Sequence, residues 1–277
     1  MDWQTFGHKK AKNILDKQLA SGKLPHAYLF TGPSGIGKKT LALEFAKKLL
    51  ESQSLENHPD FHILDAQGEI TMDLARSFTV QLGYKPFLAQ KKVAIINNAE
   101  NLNQGSSNAL LKTLEEPNSS AIIILISGSG RLLPTIVSRC QVLNFNSFNE
   151  AVLREFAKEI NFAITSEVLN ASFGSTAKLK NMAENKRYAA EQLEIIDNYK
   201  EISKLPLAEK FVKINSLADT ELPELKNNLT SWMFWQTGQL KNKPGDFLKI
   251  RALMETLTAL NMNKNKKLAL QGLMQKI

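Results

Sequence analysis

The stretch that decides the fold spans residues 31–50, TGPSGIGKKTLALEFAKKLL. Gly32, Gly35 and Gly37 precede Lys38 at the spacing of a phosphate-binding loop. In such a loop, backbone N–H groups and a helix N-terminus cradle phosphates, and the lysine neutralises the terminal ones. The next residue is normally Ser or Thr, whose hydroxyl ligates Mg²⁺. Here Lys39 stands there, and the hydroxyl comes one residue later, on Thr40. The stretch reads as a phosphate cradle with a displaced metal ligand. A glycine turn that merely joins a strand to a helix would explain the glycines, but not Lys38 at its proper offset.

The flanking sequence supplies the strand and helix that the loop requires. Residues 26–32, HAYLFTG, form a short apolar run that ends at the glycines, as a buried parallel strand does. From Lys38 the period becomes helical, with Leu41, Phe45 and Leu49 on one face and Ala42 and Ala46 alongside. Further strands are predicted over residues 60–66, 91–99, 121–127 and 141–145. One helix is predicted to start at Thr71 and Asp73 and end near Gly83. Another, from about Ser106, stops before Pro117. This alternation implies an α/β domain with a mostly parallel sheet covered on both faces, and with ligands at the carboxyl ends of its strands.

After Phe148 the strand signal is gone. Three short helices are predicted over residues 149–159, 165–173 and 175–185, with Asn149 and Thr165 as N-caps and Gly174 as a stop. Longer helical patterns follow from Arg187, punctuated by Pro206, Pro223 and a turn over residues 242–246. The expected organisation is an α/β domain over 1–147, a small helical domain over 148–187 and a second helical domain over 188–277. The aromatics of residues 232–235 serve either as an interface or as internal core, and core is the more frequent use of aromatics at such spacing.

Composition narrows the classes. The 277 residues are 43% hydrophobic and 22% charged, with no apolar run near the roughly 20 residues of a membrane span. The first residues, MDWQTFGHKK, lack the apolar centre of a signal peptide, so a cytoplasmic location is expected. Cys140 is the only cysteine, which excludes a disulfide framework and a cysteine zinc site. His58 and His62 are spaced i,i+4, but Pro59 argues against a helix, so they read as loop and strand-edge residues rather than metal ligands. The net charge of +8 suits work beside nucleic acid or an acidic partner, and is weak support taken alone.

Hydrolysis of ATP needs carboxylates at the tip of a neighbouring strand, one for Mg²⁺ and one to orient water. The apolar run Val93–Ile96 ends instead in Asn97 and Asn98, neutral amides that are poor ligands for a hard cation and ineffective as bases. Glu100 lies beyond the strand end. Two separate parts of the machinery are altered together, which points to a chain that does not split ATP itself. Residues 132–140, LLPTIVSRC, put Arg139 near a domain edge. It can serve in a structural ion pair or reach an anion on a neighbouring subunit.

Several stretches together resemble the AAA+ clamp-loader family of DNA polymerase III, and within it the bacterial delta-prime branch. They are HAYLFTGPSGIGKKTLA, HPDFHILDA, VAIINNAENLNQGSSNALLKTLEEP and RLLPTIVSRCQ, with a return at NKNKKLALQGLMQKI over residues 263–277. The resemblance implies an AAA+ P-loop domain, a three-helix lid and an all-α collar through which five subunits assemble. It implies an own ATPase site that is inactive, with weak ATP binding at Gly32, Gly35, Gly37, Lys38, Lys39 and Thr40, and no required cofactor. It also implies Arg139 as a trans-acting arginine finger for ATP on an adjacent subunit. The implied partners are the gamma/tau ATPase subunits, a delta subunit, the sliding clamp and primed DNA. Many relatives carry a four-cysteine zinc module after the P-loop helix. This chain has none, so neither zinc nor any other metal is expected. Two other readings stand beside this one: an active gamma/tau-like ATPase subunit that tolerates Asn97 and Asn98, and a DNA-binding AAA+ module outside the polymerase.

Overall fold

The computed structural model describes residues 2–66, 68–117, 120–128, 132–240, 244–262 and 264–277. The chain divides into two compact units, Met1–Phe148 and Asn149–Ile277.

The first unit is built on five strands: β1 (Ala27–Thr31), β2 (Phe61–Asp65), β3 (Lys92–Asn97), β4 (Ala121–Ser127) and β5 (Gln141–Asn144). All four pairings are parallel, in the order β2-β3-β4-β1-β5. The helices are α1 (Lys9–Ser21), α2 (Lys38–Leu49), α3 (Met72–Gly83), α4 (Gln104–Glu115) and the short α5 (Pro134–Val137).

Alternation along the strands divides the core between the two faces of the sheet. Tyr28, Phe30, Val93, Ile95, Ile122 and Ile124 pack with Leu15 of α1 and with Leu41 and Phe45 of α2. Ala27, Leu29, Ala94, Ile96, Ile123 and Leu125 face Phe78 and Leu82 of α3 and Leu110 and Leu114 of α4. Every residue of β4 is buried, as expected of the central strand of a sheet covered on both sides. The five strands lie where the apolar runs predict them. Thr71 caps α3 by accepting the N–H of Leu74, and Asn103 caps α4 by accepting that of Ser106. Neither α1 nor α5 is anticipated from the sequence. α5 is a single turn whose Pro134 sits at the start, where a missing N–H costs nothing.

The second unit contains only helices among its described residues: α6 (Glu150–Glu159), α7 (Ser166–Ala171), α8 (Thr176–Glu184), α9 (Lys186–Lys204), α10 (Leu207–Asp219), α11 (Leu222–Gly238), α12 (Pro244–Asn261) and α13 (Lys266–Met274). Asn149 caps α6 by accepting the N–H of Val152, and Thr165 caps α7 by accepting that of Val168. α7 stops at Ala171, three residues before the expected Gly174; Phe173 and Gly174 both follow in left-handed conformation, with φ 52° and 75°. The helices of the expected lid and collar fall together in this unit, where α9 packs on α7, α8 and α11. Of the expected turn over residues 242–246, Asn242 and Lys243 lie outside the described residues. Trp232 is 2% exposed and packs beside Tyr199, which donates its hydroxyl to Gln236. Trp232 is thus core, whereas Phe234 and Trp235 are part-buried.

Candidate functional site

The glycine loop runs from β1 into α2, at the carboxyl end of the sheet. Gly32 has φ 145°, and a Cβ there would lie 2.0 Å from the carbonyl oxygen of Phe145, so only glycine fits. Gly37, with φ 95°, opens α2 in a left-handed conformation. Lys38 is the first residue of the helix and is only 6% exposed. Its ammonium folds back on the loop and donates to the carbonyl oxygens of Gly32 at 2.6 Å and Pro33 at 2.5 Å. Burial pulls its pKa down to about 8, against an opposing pull from the Glu100 carboxylate. Glu100 lies beside the end of β4, where its Oε1 accepts the N–H of Gly128 at 2.9 Å. Its Oε2 is buried without a hydrogen bond.

The next turn of the site is made by residues that a metal-dependent ATPase would not use. Lys39 forms an ion pair with Asp65 at the carboxyl end of β2. The other oxygen of Asp65 accepts from the Asn97 amide at 2.7 Å. Asp65 and Asn97 are register partners at the tips of adjacent strands. The Lys39 hydrogen bond, and then that of Asn97, hold the Asp65 carboxyl below the usual carboxylate range. Asn98 takes a left-handed φ of 53°, a conformation that Asn tolerates better than most residues, and its amide donates to the Ala66 carbonyl at 3.3 Å. Thr40 is exposed on α2. One residue along a helix is a rotation of about 100°, so its hydroxyl does not take the place left by Lys39.

The N-terminal segment completes the cradle, and sequence reasoning did not find it. His8 has φ 53° and lies 2.5 Å from the Ile36 carbonyl through Nε2. Its ring packs on Phe145 and Phe148, with centroids 4.8 and 4.7 Å away. Burial moves its pKa below the usual imidazole value. A neutral ring with Nε2–H donating to Ile36 satisfies this position. The signal available in the sequence was the run Phe6-Gly7-His8 just ahead of α1. Gly7 has φ 67°, and a Cβ on it would come within 2.5 Å of the Phe148 ring.

Arg139 sits at the other end of the sheet, two residues before β5. Its guanidinium donates to the Thr135 carbonyl at 2.9 Å and to Glu115 at 2.8 Å, which ties the SRC stretch to the LEEP stretch at the end of α4. A third of the side chain, 34%, stays open to solvent. Cys140 beside it is part-buried against the apolar cluster, and burial pushes its thiol up to about 12, which makes it an inert neighbour. No group of three or more His, Cys, Asp or Glu side chains that could hold a metal occurs among the described residues. His58 instead accepts the Asp60 N–H through Nδ1. No helix among them is long and apolar enough to cross a membrane.

A glycine-loop α/β domain joined to an all-helical unit defines the AAA+ fold class. The structural neighbours share it: a DNA polymerase III gamma subunit-related protein from Thermotoga maritima has TM-score 0.54 at 20% identity, covering 96% of this chain and 97% of that one. The RuvB Holliday junction branch migration motor of Thermotoga maritima has TM-score 0.51 at 16% identity, covering 81% and 82%. Residues 7–149 match the family described as DNA polymerase III, delta subunit, and the chain belongs to that family. Among curated relatives, the DNA polymerase III subunit delta' of Pseudomonas aeruginosa is 38% identical over 42% of this chain, and that of Bacillus subtilis is 28% identical over 69%. The matched regions span 41% and 63% of those two relatives.

Proposed function

We propose that this chain acts as a delta-prime-like subunit of the DNA polymerase III clamp loader and assists ATP-dependent loading of the sliding clamp on primed DNA in the cytoplasm. Its partners in this reading are gamma/tau ATPase subunits and a delta subunit in a hetero-pentamer. The observation that supports it is the pair of neutral amides, Asn97 and Asn98, at the tip of β3, where ATP hydrolysis needs carboxylates. Arg139, bonded to Thr135 and Glu115, keeps 34% of its side chain open to solvent.

A guanidinium placed at an open edge in this way can stabilise charge developing on a phosphoryl group supplied by a neighbour. The chain's own cradle contributes no hydrolysis, since Asn97 and Asn98 provide neither a metal ligand nor a base. The chain therefore needs no cofactor of its own in this role. The test is reconstitution of the loader with Arg139→Ala. DNA-stimulated ATP turnover should fall while assembly persists, and unchanged turnover would remove Arg139 from the mechanism. A gamma/tau-like active subunit predicts Mg²⁺-dependent turnover by the purified chain alone, and Asn97 and Asn98 stand against it.

A further inference from the structure

The groups around the glycine loop fit a phosphate chain and do not fit magnesium. Mg²⁺ requires near-octahedral oxygen coordination and is usually held by a loop hydroxyl and a strand-tip carboxylate. Here the hydroxyl position carries Lys39, and the tip of β3 carries Asn97. The nearest strand-tip carboxylate, Asp65, already pairs with one cation through Oδ2 and accepts the Asn97 amide through Oδ1. Glu100 spends Oε1 on the Gly128 N–H and keeps Oε2 buried, where its charge acts on the Lys38 ammonium. An aspartate at position 97 would leave the Lys39–Asp65 cluster with a net negative charge that recruits a cation. With Asn97 the cluster is neutral and already contains its cation.

We infer that the Lys39 ammonium replaces magnesium at this site, so that the glycine loop takes a nucleoside polyphosphate as the metal-free anion. The inference deepens the reading of an ATPase-silent subunit by naming the form of ligand the cradle accepts. Three features support it together. Lys39 lies one residue past Lys38 on the first turn of α2, at the end of the helix that favours anions. Its side chain reaches from that turn to the Asp65 carboxylate at the tip of β2, beside Asn97 at the tip of β3. Its side chain is 44% exposed and that of Asp65 is 29% exposed, so the pair is an exposed, weakly held one. The ammonium can turn from Asp65 to a phosphate oxygen without leaving water.

The experiment is calorimetric titration of the full chain with ATP, once in EDTA and once in excess Mg²⁺. The expected result is a dissociation constant at least about tenfold weaker in excess Mg²⁺, because Mg²⁺ draws ATP into the chelate that the site does not take. Lys39→Met should weaken binding in EDTA about tenfold, and Asp65→Asn, which releases Lys39, should tighten it about threefold. The double variant Lys39→Thr, Asn97→Asp restores a hydroxyl and a carboxylate and should gain a tightening by Mg²⁺ of about tenfold or more. Thermal melts establish that each variant is folded. Equal or tighter binding of the wild-type chain in Mg²⁺, absence of ATP binding in EDTA, or unchanged binding by Lys39→Met would each overturn the inference. None of these results touches the Arg139 proposal, which is read from turnover on a partner subunit.

Discussion

The two ends of the parallel sheet handle charge in opposite ways. At the carboxyl end, where the glycine loop lies, the cations turn inward: Lys38 bonds the loop's own carbonyls and Lys39 bonds Asp65. At the amino end, polar groups hold main chain in place. Asp60, fully buried just before β2, accepts the N–H groups of Phe87, Leu88 and Ala89 at 2.6, 2.7 and 2.8 Å. That turn presents Phe87 with 82% of its surface exposed. Arg139 is braced by Glu115 and Thr135 at the same end. The contrast teaches that the two ends of one sheet can use buried and half-buried charge differently, to close a loop on itself at one end and to hold turns at the other.

The largest test of this contrast is the Asp60 staple. Asp60→Ala strands three N–H donors that now meet a carboxylate, and it should lower unfolding free energy by about 3 kcal/mol, measured by urea titration. Burial pushes the Asp60 carboxyl up, but the three backbone donors and Lys92 outweigh that and hold it below the ordinary value. Its contribution is therefore fully present above about pH 4 and lost as pH falls through the lower folded value. Asp60→Asn should flatten that acid limb. An acid limb identical to that of the wild type would mean the staple is not charged.

Next in size is the reconstituted loader. Arg139→Ala should cut DNA-stimulated ATP turnover about tenfold, whereas Lys38→Ala should leave it within about twofold. The reverse ranking would break the comparison outright, because the cradle and not the far end would then carry the chemistry.

Lys38→Met removes a buried ammonium whose folded pKa is depressed to about 8. A base with a lowered folded pKa costs stability while both states are protonated, and the cost fades as pH rises from about 8 to 10.4. The variant should be about 1 kcal/mol more stable than wild type at pH 7 by urea titration, and the gap should close across that range. A constant gap would mean that Lys38 is solvated as freely as an exposed lysine. The smallest effect is expected for Glu115→Gln. It removes one exposed ion pair and should cost about 0.5 kcal/mol or less in the same titration, while loosening the pose of Arg139.

Much of this was legible because the governing interactions are local. The glycine spacing, the apolar runs of the strands and the Asn and Thr caps act within a few residues, so the five strands and the caps at Thr71, Asn149 and Thr165 fall where the sequence puts them. α1 was not legible. Its two buried residues, Ala11 and Leu15, make a narrow apolar stripe on an otherwise polar helix, which gives a weak periodic signal. α5 is one turn long and has no period to read.

By itself the sequence determined the sheet, the loop and the loss of the strand-tip carboxylates, because each depends on residue type at short spacing. Only the tertiary structure decided where the charges go. Lys39 meets Asp65 26 residues away, Arg139 meets Glu115 24 away, and Asp60 meets the 87–89 turn 27 to 29 away. Such pairings depend on which strands the crossovers bring side by side, and short-range spacing carries no information about that.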